Sequence, residues 1–227
     1  MALTGISSMA TRALLAELAA AYAQRAGIAA VFESVGGVDA AKRVGAGEAF
    51  DVVVLASDAI ERLLPTGRIV ADTVVDIVQS AVAVAVPAGA AVPDLASEDA
   101  VRRAVLAARA IGYSTGPSGN ELLKLFARWG IADTVRERLV QARVGVPVAD
   151  LVARGEADLA FQQYAEMKDA PGVHVAGLLP PAIAIVTRFT GAVCAGSAQQ
   201  AEARALLSFL ASPETEDAKR RHGMAPA

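Results

Sequence analysis

The chain has 227 residues, a net charge of −3 and a 54% share of hydrophobic residues, which excludes a disordered chain and calls for one large domain or two modest ones. Its basic residues are scattered, so no nucleic-acid or anionic-membrane partner is expected, and its one cysteine, Cys194, excludes an internal disulfide or a multi-thiolate metal site. Only two histidines, His174 and His222, are present and they lie far apart, so neither a metal site nor any other cofactor is expected.

In chain order, strand and helix signals alternate. Residues 3–6 are a short apolar run ended by Ser7-Ser8, and Leu14, Leu15, Leu18, Ala21 and Tyr22 then recur at helical spacing until Gly27. Residues 28–32 read as a strand, followed by Gly36-Gly37 and a helical stretch to Gly45. Residues 51–55 form an unbroken run of the kind a parallel sheet covered on both faces requires, and Ser57-Asp58 would cap the next helix. This β-α-β-α-β-α order is the doubly wound plan.

Residues 74–86 read as one long extended stretch ended by Pro87-Ala88-Gly89. A second series follows: helix 98–109, strand 110–113, helix 118–129, strand 139–142, helix 148–154, strand 157–161 and a weak strand 173–175. A second extended run covers 182–195, then come a helix over 199–210 and a last one capped by Ser212-Pro213. Two such series joined by two long connections imply an α/β protein of two lobes with a cleft between them. The C-terminal helices lack strand partners in the second series and are expected to return to the first, giving lobe 1 as residues 1–80 plus 187–227 and lobe 2 as 81–186. The longest apolar stretch, 80–92, is broken by Pro87 and Gly89 and is too short to cross a bilayer, so no membrane insertion is expected. The N-terminus lacks the basic-then-apolar design of a secretory signal, which leaves either a removed signal or a cytoplasmic protein.

Ligands of open α/β sheets bind beyond the carboxyl ends of the strands, where helix N-termini offer free N–H groups. The residues at those ends are Ser7 and Ser8, then Ser34, Gly36 and Gly37, then Ser57, and in the second series Ser114, Ser118 and Gly119. Small hydroxyl residues and glycines let a backbone approach an anion and donate to it. The same residues also serve as ordinary helix caps, and Ser118 with Glu121 reads as a capping box. Arg12 opposes the macrodipole of its helix, which an anion nearby would explain, as would a solvated surface position. Gly112-Tyr113-Ser114-Thr115-Gly116 matches G-x-S-x-G, but Pro117 separates the serine from its helix, so a hydrolase elbow is not expected. Gly45-Ala46-Gly47 lacks the third glycine of a dinucleotide loop. His174 reads as an exposed strand position, and Phe126 with Trp129 as the core face of a helix.

Gly5-Ile6-Ser7-Ser8-Met9, Phe32-Glu33-Ser34-Val35-Gly36-Gly37, residues 46–53, Gly116-Pro117-Ser118-Gly119 and residues 151–159 together resemble the molybdate-binding-protein-like solute-binding proteins, the substrate-binding class of ABC transporters. The resemblance implies a two-lobed type II periplasmic-binding-protein fold, a small anionic ligand, an ABC permease as partner, a periplasmic location and a monomer. It puts ligand contacts on Ser7, on the stretch from Ser34 to Gly37, on the N–H of Ser118, on Gly145 or Val146, and on Gln163, where the family places a tyrosine. Gln162, Gln163 and Arg12 suit a planar carboxylate better than a tetrahedral oxyanion, since amides and guanidinium grip carboxylates in pairs. Divergent relatives with this organisation are similar to aconitate isomerase, which implies an allylic proton shift and a base, with Glu33, Tyr113 and Tyr164 as candidates. Transport component and isomerase both remain open readings.

Overall fold

The computed structural model describes residues 2–143 and 145–227. These fall into two compact units, Met1–Gln79 with Arg188–Ala227, and Ser80–Thr187. In chain order the elements are β1 (Leu3–Ser8), α1 (Arg12–Ala26), β2 (Ala30–Val35), α2 (Gly37–Gly45), β3 (Val52–Ala56), α3 (Ser57–Leu63) and β4 (Val75–Pro87). There follow α4 (Glu98–Ala107), β5 (Ile111–Tyr113), α5 (Pro117–Arg128), α6 (Ala132–Val135), β6 (Leu139–Gln141), α7 (Val148–Ala153), β7 (Leu159–Gln163), α8 (Tyr164–Met167) and β8 (Val173–Leu178). The chain closes with β9 (Val186–Val193), α9 (Gln200–Ala211), α10 (Glu216–Arg221) and β10 (Ala225–Pro226). Each long connection expected from sequence is a single strand, β4 or β9, that leaves one unit and enters the other.

In the first unit β1 pairs in parallel with β2, Ser7 opposite Ser34, and with β3, Ser7 opposite Val54. β9 runs antiparallel to β3 and β10 antiparallel to β4. All five residues of β3 are buried, as the unbroken apolar run requires of a strand covered on both faces. One covering layer joins Ile6, Val53 and Leu55 to Ala40 and Val44 of α2 and Ile60 and Leu63 of α3. Elsewhere in the unit α1 buries Leu14, Leu15, Leu18 and Tyr22 and packs against α9, where Tyr22 and Phe209 lie 5.4 Å apart. Gly27 ends α1 in a left-handed turn at φ 69°, which a side chain would resist. Asp51 ties the sheet's lower edge, accepting from the Thr4 N–H at 2.8 Å and the Ser197 hydroxyl at 2.6 Å. Burial, with Asp51 adding to it, pushes the buried Cys194 thiol up to about 12.

In the second unit β5 pairs in parallel with β6 and β7, while the later part of β4 runs antiparallel to both β7 and β8. β7 begins two residues later than the pattern suggests. Gly155 turns at φ 72°, and the Asp158 carboxylate accepts from the Arg109 and Ala110 N–H groups, holding residues 157 and 158 out of the strand. The strand therefore runs on to include Gln162 and Gln163. Phe126 is fully buried among Val82, Val105, Leu122, Ile131 and Phe161, with Trp129 stacked at 5.9 Å. Two capping expectations fail. Ser57 is already helical with Ala56 in the cap position, and Ser118 lies inside α5, which Gly116 caps behind Pro117. Near the C-terminus, His222 Nε2 meets the Glu17 carboxylate at 2.8 Å. Among the described residues no helix is long and apolar enough to cross a membrane.

Phe126→Ala is expected to cost about 3–5 kcal/mol, the range for truncating a fully buried aromatic. A urea titration at unchanged m-value measures it, and a loss below about 1 kcal/mol would remove Phe126 from the centre of this core.

Candidate functional site

Parallel pairing brings the carboxyl ends of β1 and β2 side by side, so Ser7 and Ser34 meet. Their hydroxyls share a hydrogen bond of 2.8 Å, and the Ser7 hydroxyl also reaches the Ser8 carbonyl at 3.3 Å. Ser7 is wholly buried and Ser34 half-buried. A hydroxyl rotates freely, so the pair can turn one proton outward while the other holds the partner. Gly36 caps α2, and a Cβ placed on Gly37 would lie 3.8 Å from the Ser8 hydroxyl. The loop after β2 thus closes over Ser8, and Ser7, Ser8, Ser34, Gly36 and Gly37 form one cluster.

Arg12 and Ser57 stand differently. Arg12 opens α1 with an exposed side chain and has no ion-pair partner among the described residues. The Ser57 hydroxyl is engaged within the fold: it shares a bond of 2.7 Å with Thr190 Oγ1 and reaches the Arg188 carbonyl at 3.2 Å. Thr190 in turn donates to Asp76 at 2.7 Å, and Arg188 pairs with the same carboxylate at 2.9 Å. Ser57 is a strut between β3 and β9.

The second unit builds its own cluster at the carboxyl ends of β5 and β7. Tyr113 lies opposite Phe161, which sets Ser114 level with Gln162 on the neighbouring strand. Ser114 and Ser118 share a hydroxyl bond of 3.2 Å across the turn into α5. A Cβ on Gly119 would fall 2.0 Å from the Ser114 carbonyl oxygen, so only glycine permits the helix to begin this close to the strand. The Gly119 and Asn120 N–H groups are bonded to the Gly116 carbonyl at 3.0 and 3.3 Å, which leaves the Ser118 N–H at the positive end of the helix dipole. The Val146 N–H, expected at the ligand, is bonded instead to the Arg143 carbonyl at 2.9 Å.

The two glutamines point to opposite faces of β7. Gln162 is buried: its carbonyl oxygen accepts from the Val148 N–H at 2.9 Å, which fixes the amide orientation, and its NH2 donates to Glu166 at 2.6 Å. Gln163 is buried too. Its NH2 donates to the Thr187 hydroxyl at 2.7 Å, and its Oε1 has no partner among the described residues. An unpartnered buried amide oxygen costs about 1–3 kcal/mol. Because a threonine hydroxyl can donate as well as accept, the amide can turn over, leaving either its oxygen or its NH2 for a ligand.

The three base candidates fare poorly. Glu33 is exposed and paired with Arg43, whose hydrogen bonds hold its carboxyl below the usual range. Tyr113 is buried in the apolar core of its unit, and Tyr164 packs beside Met167. The half-buried carboxyl at this end of β7 is Glu166 on α8, which sequence reasoning missed. A four-residue helix has no periodicity to announce it, and the available signal was an acidic residue four places after Gln162. Burial pushes Glu166 up to about 7. Among the described residues no three metal-ligating side chains converge.

The parallel pairing, crossover helices and two connecting strands are those of an α/β protein with the type II periplasmic-binding-protein fold. The chain belongs to the bacterial extracellular solute-binding protein family, whose model matches residues 3–225. It is 34% identical to an aconitate isomerase of Pseudomonas sp, over 99% of this chain and 87% of that protein. In fold it is similar to the periplasmic molybdate-binding protein of Azotobacter vinelandii, with a TM-score of 0.81 and 20% identity over 98% of each chain. It is similar as well to a sulfate-binding protein of Mycobacterium tuberculosis, with a TM-score of 0.80 and 18% identity over 100% of this chain and 87% of that one.

Gly119→Ala forces a methyl group against the Ser114 carbonyl and is expected to destabilise by about 1–3 kcal/mol, as overpacking does. Gly37→Ala meets Ser8 only at van der Waals distance and is expected to leave the melting midpoint within a degree or two. Equal effects of the two would contradict the close approach.

Proposed function

We propose that this chain binds a small polycarboxylate, with the Gln163 amide as the contact for one carboxyl group. The observation that carries the reading is Gln163, a buried amide tethered at one end by Thr187 and unsatisfied at the other. The amide offers a planar acceptor–donor pair, the complement of a carboxyl group. In the transport form of this reading the ligand is handed unchanged to an ABC permease outside the cytoplasm, the role the family description suggests. A second reading, turnover of the ligand by allylic isomerisation, is favoured by the 34% identity with aconitate isomerase along the whole chain. The fold relatives are too distant to transfer molybdate or sulfate as ligand.

A thermal-shift series decides the ligand class. A di- or tricarboxylate is expected to raise the melting temperature more than molybdate, tungstate or sulfate at equal concentration. A hundredfold excess over Kd stabilises by about 2.7 kcal/mol, readily seen in a melt. Gln163→Leu should weaken the winning ligand by roughly 5- to 150-fold in calorimetry, the equivalent of about 1–3 kcal/mol for a hydrogen bond to a charged group. Molybdate giving the largest shift, or that variant binding carboxylate unchanged, would refute the carboxylate site. Proton NMR of cis-aconitate with the protein separates the two forms. Appearance of the trans isomer establishes the enzyme; an unchanged spectrum leaves the binding protein.

A further inference from the structure

One cofactor-free route from cis to trans at a carbon–carbon double bond moves a proton along an allyl unit. In a propene tricarboxylate the methylene C–H bond breaks to a base and its electron pair forms the new double bond to the central carbon. The old π pair then takes a proton at the far carbon. Atoms and electrons balance with no oxidant, reductant or water, and the base ends as it began. The reaction asks for one carboxylate that is shielded from water, free of any cation that would hold it ionised, and placed at the ligand end of a strand.

We propose that Glu166 is the proton-transferring group of this protein, taking a proton from the ligand's methylene carbon and returning it to the far carbon of the allyl unit. The proposal rests on the isomerase reading above. Glu166 lies on α8, which starts directly after Gln163 at the carboxyl end of β7. Gln162 holds one of its oxygens at 2.6 Å, and that amide cannot turn over because the Val148 N–H occupies its carbonyl end. The other carboxyl oxygen, Oε1, has no donor among the described residues and is the one left to meet a ligand. Gln162 is a positioning residue in this scheme.

The surroundings single this carboxyl out. The other acidic side chains of the unit that are not fully exposed, Glu98, Asp150 and Asp158, are each paired with an arginine. Glu166 has no cationic partner among the described residues. α8 packs against β7, β8 and α7. The charged or titratable groups on or beside these elements are Asp150 and Arg154, paired with each other, the exposed His174, Tyr164 on α8 itself, and Lys168, paired with Asp169. Burial alone raises the Glu166 carboxyl to about 7, which suits a group that must accept and release a proton at neutral pH.

The test splits binding from turnover. Glu166→Gln keeps the size of the side chain and an acceptor for Gln162, so aconitate should bind within about threefold of wild type in calorimetry. Its isomerisation rate should fall by about 10²- to 10⁴-fold, the contribution of a positioned proton-transfer group. The wild-type rate should rise with pH through about 7 and level off above, because the base must be ionised. Glu33→Gln, altering an exposed ion-paired carboxylate, should turn over as wild type does. A Glu166→Gln protein with near-normal turnover, or one losing binding and turnover together, overturns the assignment while leaving the isomerase reading intact. If that variant does not fold, the wild-type profile decides: a rate flat from pH 5 to 9 overturns it. Wild-type protein that never forms trans-aconitate removes the isomerase reading and this inference with it.

Discussion

Everything described at the strand ends depends on parallel pairing in register. β1 lies between β2 and β3, all running the same way, so the three chains leave the sheet at one edge, and Ser7 faces Ser34 because each sits at the same height on its strand. A slip of one residue would turn Ser7 to the other face and expose Ile6. The buried layer of Ile6, Val53 and Leu55 opposes that slip, at about 1.5–3 kcal/mol for each large side chain kept from water. Packing in the core thus holds the geometry of the hydroxyl pair some residues away. The second unit repeats the device, with β5 between β6 and β7 and the turn after β5 pressed against the start of α5.

The two clusters handle polar groups in different ways. In the first, the hydroxyls satisfy one another and can be redirected at little cost. In the second, Gln162 is fully engaged while its neighbour Gln163 keeps one end of a buried amide unsatisfied. Adjacent residues on a strand face opposite ways, so one glutamine braces α7 and α8 while the other bonds Thr187 and keeps its amide oxygen without a partner among the described residues. Gln162 holds one oxygen of the Glu166 carboxyl and leaves the other without a donor among the described residues. A half-buried carboxyl group with no cation beside it among the described residues is costly to ionise, and a fold that needed only a strut could have used an amide there.

Much of this was legible from residue pattern. The run over β3 announced a doubly covered strand, the helical spacing of α1 announced its core face, and serines after β1, β2 and β5 marked the edge where groups would gather. The illegible parts are those set by distant contacts. Ser57 and Ser118 look like caps, yet Thr190 and Ser114 respectively claim their hydroxyls. The start of β7 depends on Asp158 bonding to backbone 49 and 48 residues earlier, which no local pattern encodes. Glu33 read as a base because its captor, Arg43, is ten positions away and met only in the folded chain. Glu166 escaped notice because its helix is a single turn.

Cys194 is the only thiol in the chain, and it is buried with its ionisation pushed up to about 12. At neutral pH only about one molecule in 10⁵ would carry the reactive thiolate, which is the form that alkylates or oxidises. The native protein is in effect a blank background for maleimide chemistry. A cysteine engineered onto any exposed helix would carry a fluorophore or spin label alone, without first deleting the natural residue and disturbing the packing around it.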